Sequence, residues 1–459
     1  MLYFILSFFV MMAPVKCWSA TLNQALTNTY NTNPEFKDKQ EAIKAEHEKI
    51  VQALAGWRPT VDMSANMTLG KQINSGNSKD QPNLNTPSGK KNNTHEGSIN
   101  IRQNLYTGGG TLAQTSLAEN SIRAGWANLQ ATEQTVLLSA IQSYLELLSK
   151  YKQVELYKAN KAALLKNLED AQEKKRVGEE TITQLANAQA RFADADAQLQ
   201  NNEAQLEGAK ATFERITGLK APTKMEKPVA FQHSWQTLEE VLRTASEENP
   251  SVIASQFDHL TAQAEADRIT SGLLPTIDLV GSASRQESRT NLSYTGITNQ
   301  SSNDYVTNHQ IAIQAKVPLY EAGSIRSQRR QALETASQKR MAIETVRRQT
   351  MEQAIQIWQN YLAAKNNIQN YQKQVEAAQI SLEGTTQEMN VGSKVLLDVL
   401  NAQRDLLQAQ LALVEAEKTY FYESYRLLAI IGRLNAKTLK LEVDYFDPQT
   451  HYQNIRGNF

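Results

Sequence analysis

Residues 56–69 read GWRPTVDMSANMTL, and residues 272–285 read GLLPTIDLVGSASR. After Pro59, the residues Val61, Met63, Ala65, Met67 and Leu69 share one face of an extended chain. Thr60, Asp62, Ser64, Asn66 and Thr68 share the other. That is the period of two expected of a strand between an apolar and a polar environment. After Pro275, Ile277, Leu279, Gly281 and Ala283 stand against Thr276, Asp278, Ser282 and Ser284, with Val280 the exception. Return strands are predicted at Ser98–Tyr106 and Gln310–Tyr320. In the second of these, Ile311, Ile313, Ala315, Val317 and Leu319 oppose Gln310, Ala312, Gln314 and Lys316. The segments between partners, Lys71–Thr94 and Gln286–Asn308, are rich in Asn, Ser, Gly and Thr and read as polar loops.

Two environments satisfy such alternation: a half-buried sheet on a soluble core, or a wall with lipid outside and water inside. Strands of roughly ten residues, long polar loops at one end and helices at the other fit the membrane wall. Four strands cannot close a barrel, because the smallest membrane barrels have about eight. An open sheet edge in lipid leaves backbone groups unpaired. The chain must therefore oligomerise, and local physics does not choose between two, three or four copies.

The chain is written twice. Leu22, Leu26, Asn33, Pro34, Gly56, Pro59, Thr60 and Asp62 recur 216 positions on, as Leu238, Leu242, Asn249, Pro250, Gly272, Pro275, Thr276 and Asp278. Later the offset is 214. Leu105-Tyr106 returns as Leu319-Tyr320, Gly109 as Gly323, Val177-Gly178 as Val391-Gly392, and Asn187-Ala188-Gln189 as Asn401-Ala402-Gln403. Ile216 and Gly218 return as Ile430 and Gly432. The predicted organisation is a signal peptide (1–20), repeat one (21–218), a linker (219–237), repeat two (238–432) and a C-terminal segment (433–459). Each repeat has a short helix (Pro34–Trp57, Pro250–Gly272), two strands and two long helices.

No proline interrupts Ser88–Ala221 or Leu319–Asp447. A helix over Thr111–Val177 would reach ~100 Å at ~1.5 Å per residue, too long for one compact core. Gly323–Val391 is similar. The second long helix of each copy carries a heptad seam. In copy one it is Leu185, Ala188, Phe192, Ala195, Leu199, Asn202, Leu206, Ala209, Phe213 and Ile216. In copy two it is Val399, Ala402, Leu406, Ala409, Leu413, Ala416, Tyr420, Glu423, Leu427 and Ile430. Laid end to end, the short helix and this second helix nearly match the first long helix in length. Each protomer would then give four rod-length staves.

Lysine plus arginine and aspartate plus glutamate both total 48, a balance that argues against a nucleic-acid partner. Cys17 is the one cysteine, which excludes a disulfide framework. It lies in an apolar N-terminal run, followed by Trp18-Ser19-Ala20, that reads as a secretory signal cleaved after Ser19 or Ala20. A lipid-modified Cys17 is the rival reading, and Lys16 before it fits that poorly. Beyond residue 20 no apolar run reaches the ~18 residues of a membrane helix.

These features resemble the TolC family of outer-membrane efflux and type I secretion channels. The resemblance is carried by GWRPTVDM and GLLPTIDL, NLYTGGG and PLYEAGS, the turns RVGEE and NVGSK, and DVLNAQRDLLQAQLAL. It covers nearly all of the chain past the signal. It implies an α+β membrane protein with two internal repeats and four transmembrane β-strands per protomer. A homotrimer would close a 12-stranded β-barrel in the outer membrane of a Gram-negative bacterium, continued by a long α-helical coiled-coil barrel across the periplasm. It also implies a passive duct gated at its periplasmic tip, outer-membrane lipid around the barrel, a periplasmic adaptor, and an inner-membrane ABC or proton-driven transporter. The cargo would be proteins or small toxic molecules. An exported coiled-coil adhesin or scaffold without a pore is the alternative.

The family's acidic constriction falls on Asp398, where carboxylates around a narrow axis would attract cations and admit block by divalent ions. The dipole at a helix start, or pairing with Lys394, would also account for that acid. The second acidic ring falls on the neutral Asn401, so a weaker field is expected. The family's gate-locking tyrosine, arginine and acid fall on Met389, Lys394 and Gln184. Met389 cannot make the tyrosine's hydrogen bond, and Lys394 lacks the planar fork. Gln184 is expected to complete a capping box with Thr181. The turns Val177-Gly178 and Val391-Gly392 are the adaptor-docking points by resemblance.

No enzyme chemistry is legible. Gly108-Gly109-Gly110-Thr111-Leu112-Ala113 matches a dinucleotide fingerprint, but a nucleotide site needs a short helix returning to a parallel strand. The six histidines are dispersed with no metal spacing. No cofactor or resident metal is expected. The tail Asp447–Phe459 is expected to be polar and loose.

Overall fold

The computed structural model describes residues 19–73, 87–229, 231, 235, 237–294 and 297–457. Cys17 and most of the signal segment lie outside the described residues. The chain divides into two compact units. One gathers residues up to 44, 124–255 and 342–449; the other gathers 45–123, 256–341 and 450 onward.

The elements come twice. Repeat one is β1 (Ser19–Ala20), α1 (Leu22–Thr32), α2 (Pro34–Leu54), a short 3-10 turn (Ala55–Trp57), β2 (Thr60–Ile73), β3 (Pro87–Tyr106), α3 (Gly110–Arg176) and α4 (Ile182–Thr217). Repeat two is α5 (Leu238–Glu248), α6 (Pro250–Ser271), β5 (Thr276–Tyr294), β6 (Ile297–Lys316), α7 (Ser324–Asn390) and α8 (Leu396–Ile430). β4 (Lys224–Met225) pairs in parallel with β1, and α9 (Pro448–Gly457) closes the chain. α3 and α7 each run 67 unbroken residues.

Three expectations are corrected. The strands run for 14, 20, 19 and 20 residues, so much of Lys71–Thr94 and Gln286–Asn308 is strand. A backbone ladder needs paired N–H and C=O groups, not apolar side chains, and it continues into polar sequence. The last strand ends at Lys316, short of Tyr320, because Pro318 has no N–H to donate. The tail is not loose: residues 448–457 form α9, and Leu434, Ala436 and Leu441 before it are buried.

The sheet is antiparallel in the order β2-β3-β5-β6, so β2 and β6 are edges. Its register explains the alternation. Val61 faces Ile101, which faces Gly281, which faces Ile311; one residue along, Asp62, Asn100, Ser282 and Gln310 align. The next row is Met63, Ile99, Ala283 and His309, and the next Ser64, Ser98, Ser284 and Asn308. Partners directly opposite share a face, so mainly apolar rows, interrupted by His309 on β6, alternate with polar rows across the sheet. The polar face is tied by Asn100 Nδ2 donating to Asp62 Oδ2 at 2.9 Å and by Ser64–Ser98 at 2.7 Å. The apolar face has no core beneath it: Met63 is 77% exposed and Ile311 84%.

In the first unit, helices pack around Leu26, Ile141, Tyr144, Phe213, Leu427, Leu428 and Ile431. Burial pushes the Tyr144 hydroxyl up to about 12, while its O–H donates to Glu226 O at 2.7 Å. α3 and α8 are tied by Lys418–Glu146 at 2.8 Å and Lys152–Glu417 at 3.0 Å. The repeated Asn-Pro pair has one job in both copies. Asn33 Oδ1 accepts from Glu35 N and Phe36 N at the start of α2, and its Nδ2 reaches Ile216 O at the end of α4 at 3.4 Å. Asn249 Oδ1 accepts from Ser251 N, and its Nδ2 donates to Ile430 O at the end of α8 at 2.8 Å.

Candidate functional site

The residues singled out in the sequence gather at the α3–α4 and α7–α8 turns, within the first unit. The two turns share a geometry. Gly178 and Gly392 both have φ near +83°, a left-handed backbone that glycine adopts without a Cβ penalty. Glu179 N donates to Lys174 O, and Ser393 N to Glu388 O, both at 2.9 Å. These bonds satisfy carbonyls that a helix end leaves open. Val177 and Val391 stand exposed on the two turns.

Behind the turns sits an apolar cluster of Leu164, Leu168 and Ala171 from α3, Ala188 and Ala195 from α4, and Leu396 and Leu400 from α8. Leu185, Phe192 and Met389 pack against it. Met389 thus contributes packing where the resemblance places a hydrogen-bonding tyrosine. The seam of α4 is buried or half-buried throughout. That of α8 broadens near its start: Val399 on the seam is buried and so are Leu396, Leu400, Gln403 and Leu407 beside it, whereas Ala402 and Leu406 are only half-buried. This part of α8 packs into a cluster shared with both α3 and α4, so its buried stripe is wider than a single heptad line.

Asp398 is half-buried in the first turn of α8. Its Oδ2 accepts from Val395 N at 3.2 Å, closing an orphan donor at the helix start. Its copy-one counterpart, Gln184, donates its backbone N–H to Thr181 Oγ1 at 3.2 Å, one half of the expected capping box. Val395 has no side-chain acceptor for the same purpose, so Asp398 alone caps α8. Lys394 is exposed and pairs with no carboxylate among the described residues, so it does not join Asp398.

Asn401 is not free. Arg191 Nη2, on α4, donates to its Oδ1 at 3.1 Å. Two residues on, Gln403 Oε1 accepts from Asn167 Nδ2 of α3 at 3.0 Å. Sequence reading missed Arg191, Asn167 and Gln403 as a cross-repeat set. No local signal marked them, because Gln403 lies off the heptad seam and its burial emerges only from packing.

Among the described residues, no group of three or more His, Cys, Asp or Glu is placed to hold a metal ion, and no helix is long and apolar enough to cross a membrane. Gly108-Gly109-Gly110 turns an antiparallel strand into a 67-residue helix, which is not a dinucleotide-binding context.

The arrangement is a doubled strand-and-helix unit with an amphipathic four-stranded sheet. A family model described as outer membrane efflux protein matches it at residues 23–219 and again at 241–433, one match per repeat. The chain belongs to the outer membrane efflux protein family. It is 28% identical over 441 residues to outer membrane efflux protein BepC of Brucella suis, covering 96% of this chain and 91% of that protein. It is 25% identical over 435 residues to outer membrane protein TolC of Vibrio cholerae, covering 94% and 96%. The fold matches the crystal structure of outer membrane protein VceC of Vibrio cholerae with a TM-score of 0.71 at 18% identity, over 90% of this chain and 96% of that one. The chain is an outer-membrane export channel-tunnel of the TolC type, with its helical part in the periplasm. The family is one of passive channels, which sets aside the pore-less scaffold reading. Channels of this type are trimers that work with adaptors and inner-membrane transporters.

Proposed function

We propose that three copies of this chain close one barrel of twelve strands, four from each. Each copy would extend it with its long helices into a passive periplasmic duct. The observation that supports this reading is the sheet itself. Its apolar rows lie open, and its two edge strands, β2 and β6, carry unpaired backbone on their outer sides. In lipid such edges must pair, and pairing β2 of one copy with β6 of the next satisfies both while wetting only the polar rows.

At the turns between the long helices, Asp398 and Asn401 line the constriction, with Met389, Lys394 and Gln184 beside it. The turns at Val177-Gly178 and Val391-Gly392 meet the periplasmic adaptor. Cargo selection rests with the inner-membrane transporter, ABC or proton-driven, because the duct carries no reactive chemistry. Divalent cations act as blockers at the Asp398 ring and not as a resident metal.

The test is purification in detergent followed by planar-bilayer recording. A trimeric mass and discrete conductance steps are expected. A monomer that stays monodisperse without detergent and never conducts would overturn the reading.

A further inference from the structure

Two histidines 404 positions apart meet in the second unit. His47 on α2 and His451 on α9 approach with their Nδ1 atoms 2.8 Å apart and their ring centroids 5.1 Å apart. His47 is fully buried, and Tyr452 of α9 presents its ring edge to it at 5.8 Å. α9 buries no side chain fully, and its Arg456 pairs with Glu119 of α3 at 3.1 Å, with the arginine about half exposed. Such an exposed pair is worth little, whereas the histidine contact joins a buried ring on α2 to a half-buried one on α9.

We propose that the His47–His451 contact is an acid-released latch holding residues 450–457 against α2. An Nδ1···Nδ1 hydrogen bond needs one nitrogen with a proton and one without. A neutral pair satisfies this, and a singly charged pair still does. When both rings are imidazolium, both nitrogens are donors, the bond is lost, and two like charges face each other beside a buried ring. The surrounding charged groups are Glu46 and Lys49 on α2, Glu119 and Arg123 on α3, and Arg456 on α9, with Tyr452 the other titratable side chain. Glu46 is engaged by Lys49 at 2.8 Å and by Ser121 Oγ at 2.7 Å, and Glu119 by Arg456. The nearest carboxylates are therefore already committed to other partners.

Burial, then the neighbouring His451, lowers His47 from 6.5 to about 4, against the opposing pull of Glu46. The sign follows by linkage. A histidine held neutral in the docked state contributes fully above its free pKa of 6.5. That contribution is lost as pH falls toward 4. The docking equilibrium should weaken on the order of ten- to a hundredfold between neutral pH and about pH 4.5. An outer-membrane protein meets the pH of the cell's surroundings, so this window is within its reach.

The test is amide hydrogen exchange on the intact protein in detergent at pH 7.5 and 4.5, corrected for the intrinsic rate. Amides 450–457 should lose at least tenfold in protection at the lower pH, while residues 434–441 keep theirs. In His47→Asn, which keeps a hydrogen-bonding group but removes the buried imidazole, the pH dependence should vanish. Equal protection of the natural protein at both pH values overturns the proposal without recourse to any variant. So does a pH-dependent loss that persists in His47→Asn, which would assign the effect to the Glu119–Arg456 pair. Neither readout depends on conductance, so the latch can fail while the export reading stands.

Discussion

Arg191 of α4 donates Nη2 to Oδ1 of Asn401 on α8 at 3.1 Å. The bond joins the second long helix of one repeat to the second long helix of the other, one turn beyond Asp398. A carboxylate at position 401 would have made this an ion pair. The amide makes it a charged-donor hydrogen bond and leaves the arginine's charge uncancelled. Together with Asn167–Gln403, it ties α8 to both long helices of the first repeat within three residues.

Replacing Arg191 with alanine should therefore loosen the two turns. A double-mutant cycle with Asn401→Ala, read by thermal unfolding, should give a coupling of roughly 1 kcal/mol, at the modest end for a charged donor because the site is partly solvated. Coupling near zero would mean the bond does not hold the helices. Asn401→Asp should strengthen the tie and increase divalent-cation block in bilayer recordings.

Asp398 caps α8, and its proposed place at the constriction can be separated from that role by substitution. Asp398→Ala removes the acceptor for Val395 N and an acid from the positive end of α8. A cost of about 0.5–1 kcal/mol in stability is expected. It should also weaken divalent block from the periplasmic side. Asp398→Asn keeps an acceptor, so it should recover most of the stability and none of the block. Unchanged block in both variants would remove Asp398 from the constriction.

The paired asparagines should differ in cost. Asn249 is buried and donates to Ile430 O at 2.8 Å, whereas Asn33 is less buried and reaches Ile216 O at 3.4 Å. Asn249→Ala should cost about 2 kcal/mol, because it orphans buried backbone groups at two helix ends. Asn33→Ala should cost about half that. Thermal unfolding of the two variants side by side checks the order.

Gly392 and Gly432 share a φ of 83°, but their surroundings differ. A Cβ on Gly392 meets nothing within 4 Å, while one on Gly432 would lie 2.2 Å from Glu248 O. Gly392→Ala should cost about 1 kcal/mol of backbone strain. Gly432→Ala must also displace the end of α5 and should cost several times as much or prevent folding. Equal melting temperatures for the two would contradict the close approach.

The sequence alone determined what local periodicity and self-similarity can encode. The two copies, the amphipathic halves of four strands, the unbroken long helices and the glycine turns were legible because side-chain period and turn chemistry are properties of neighbouring residues. The outer halves of the strands were not. Residues such as Lys90–Glu96 and Gln286–Asn291 show no apolar alternation, and only the ladder to a partner strand makes them extended. The broadening of the buried stripe to Gln403 and Leu407 needed two packing partners at once, which a one-helix heptad cannot express. Tertiary structure alone brought His47 to His451 and Arg191 to Asn401, across 404 and 210 positions. Those contacts depend on how whole helices are set against one another. That setting belongs to the packed core as a whole, and no stretch of neighbouring residues contains it.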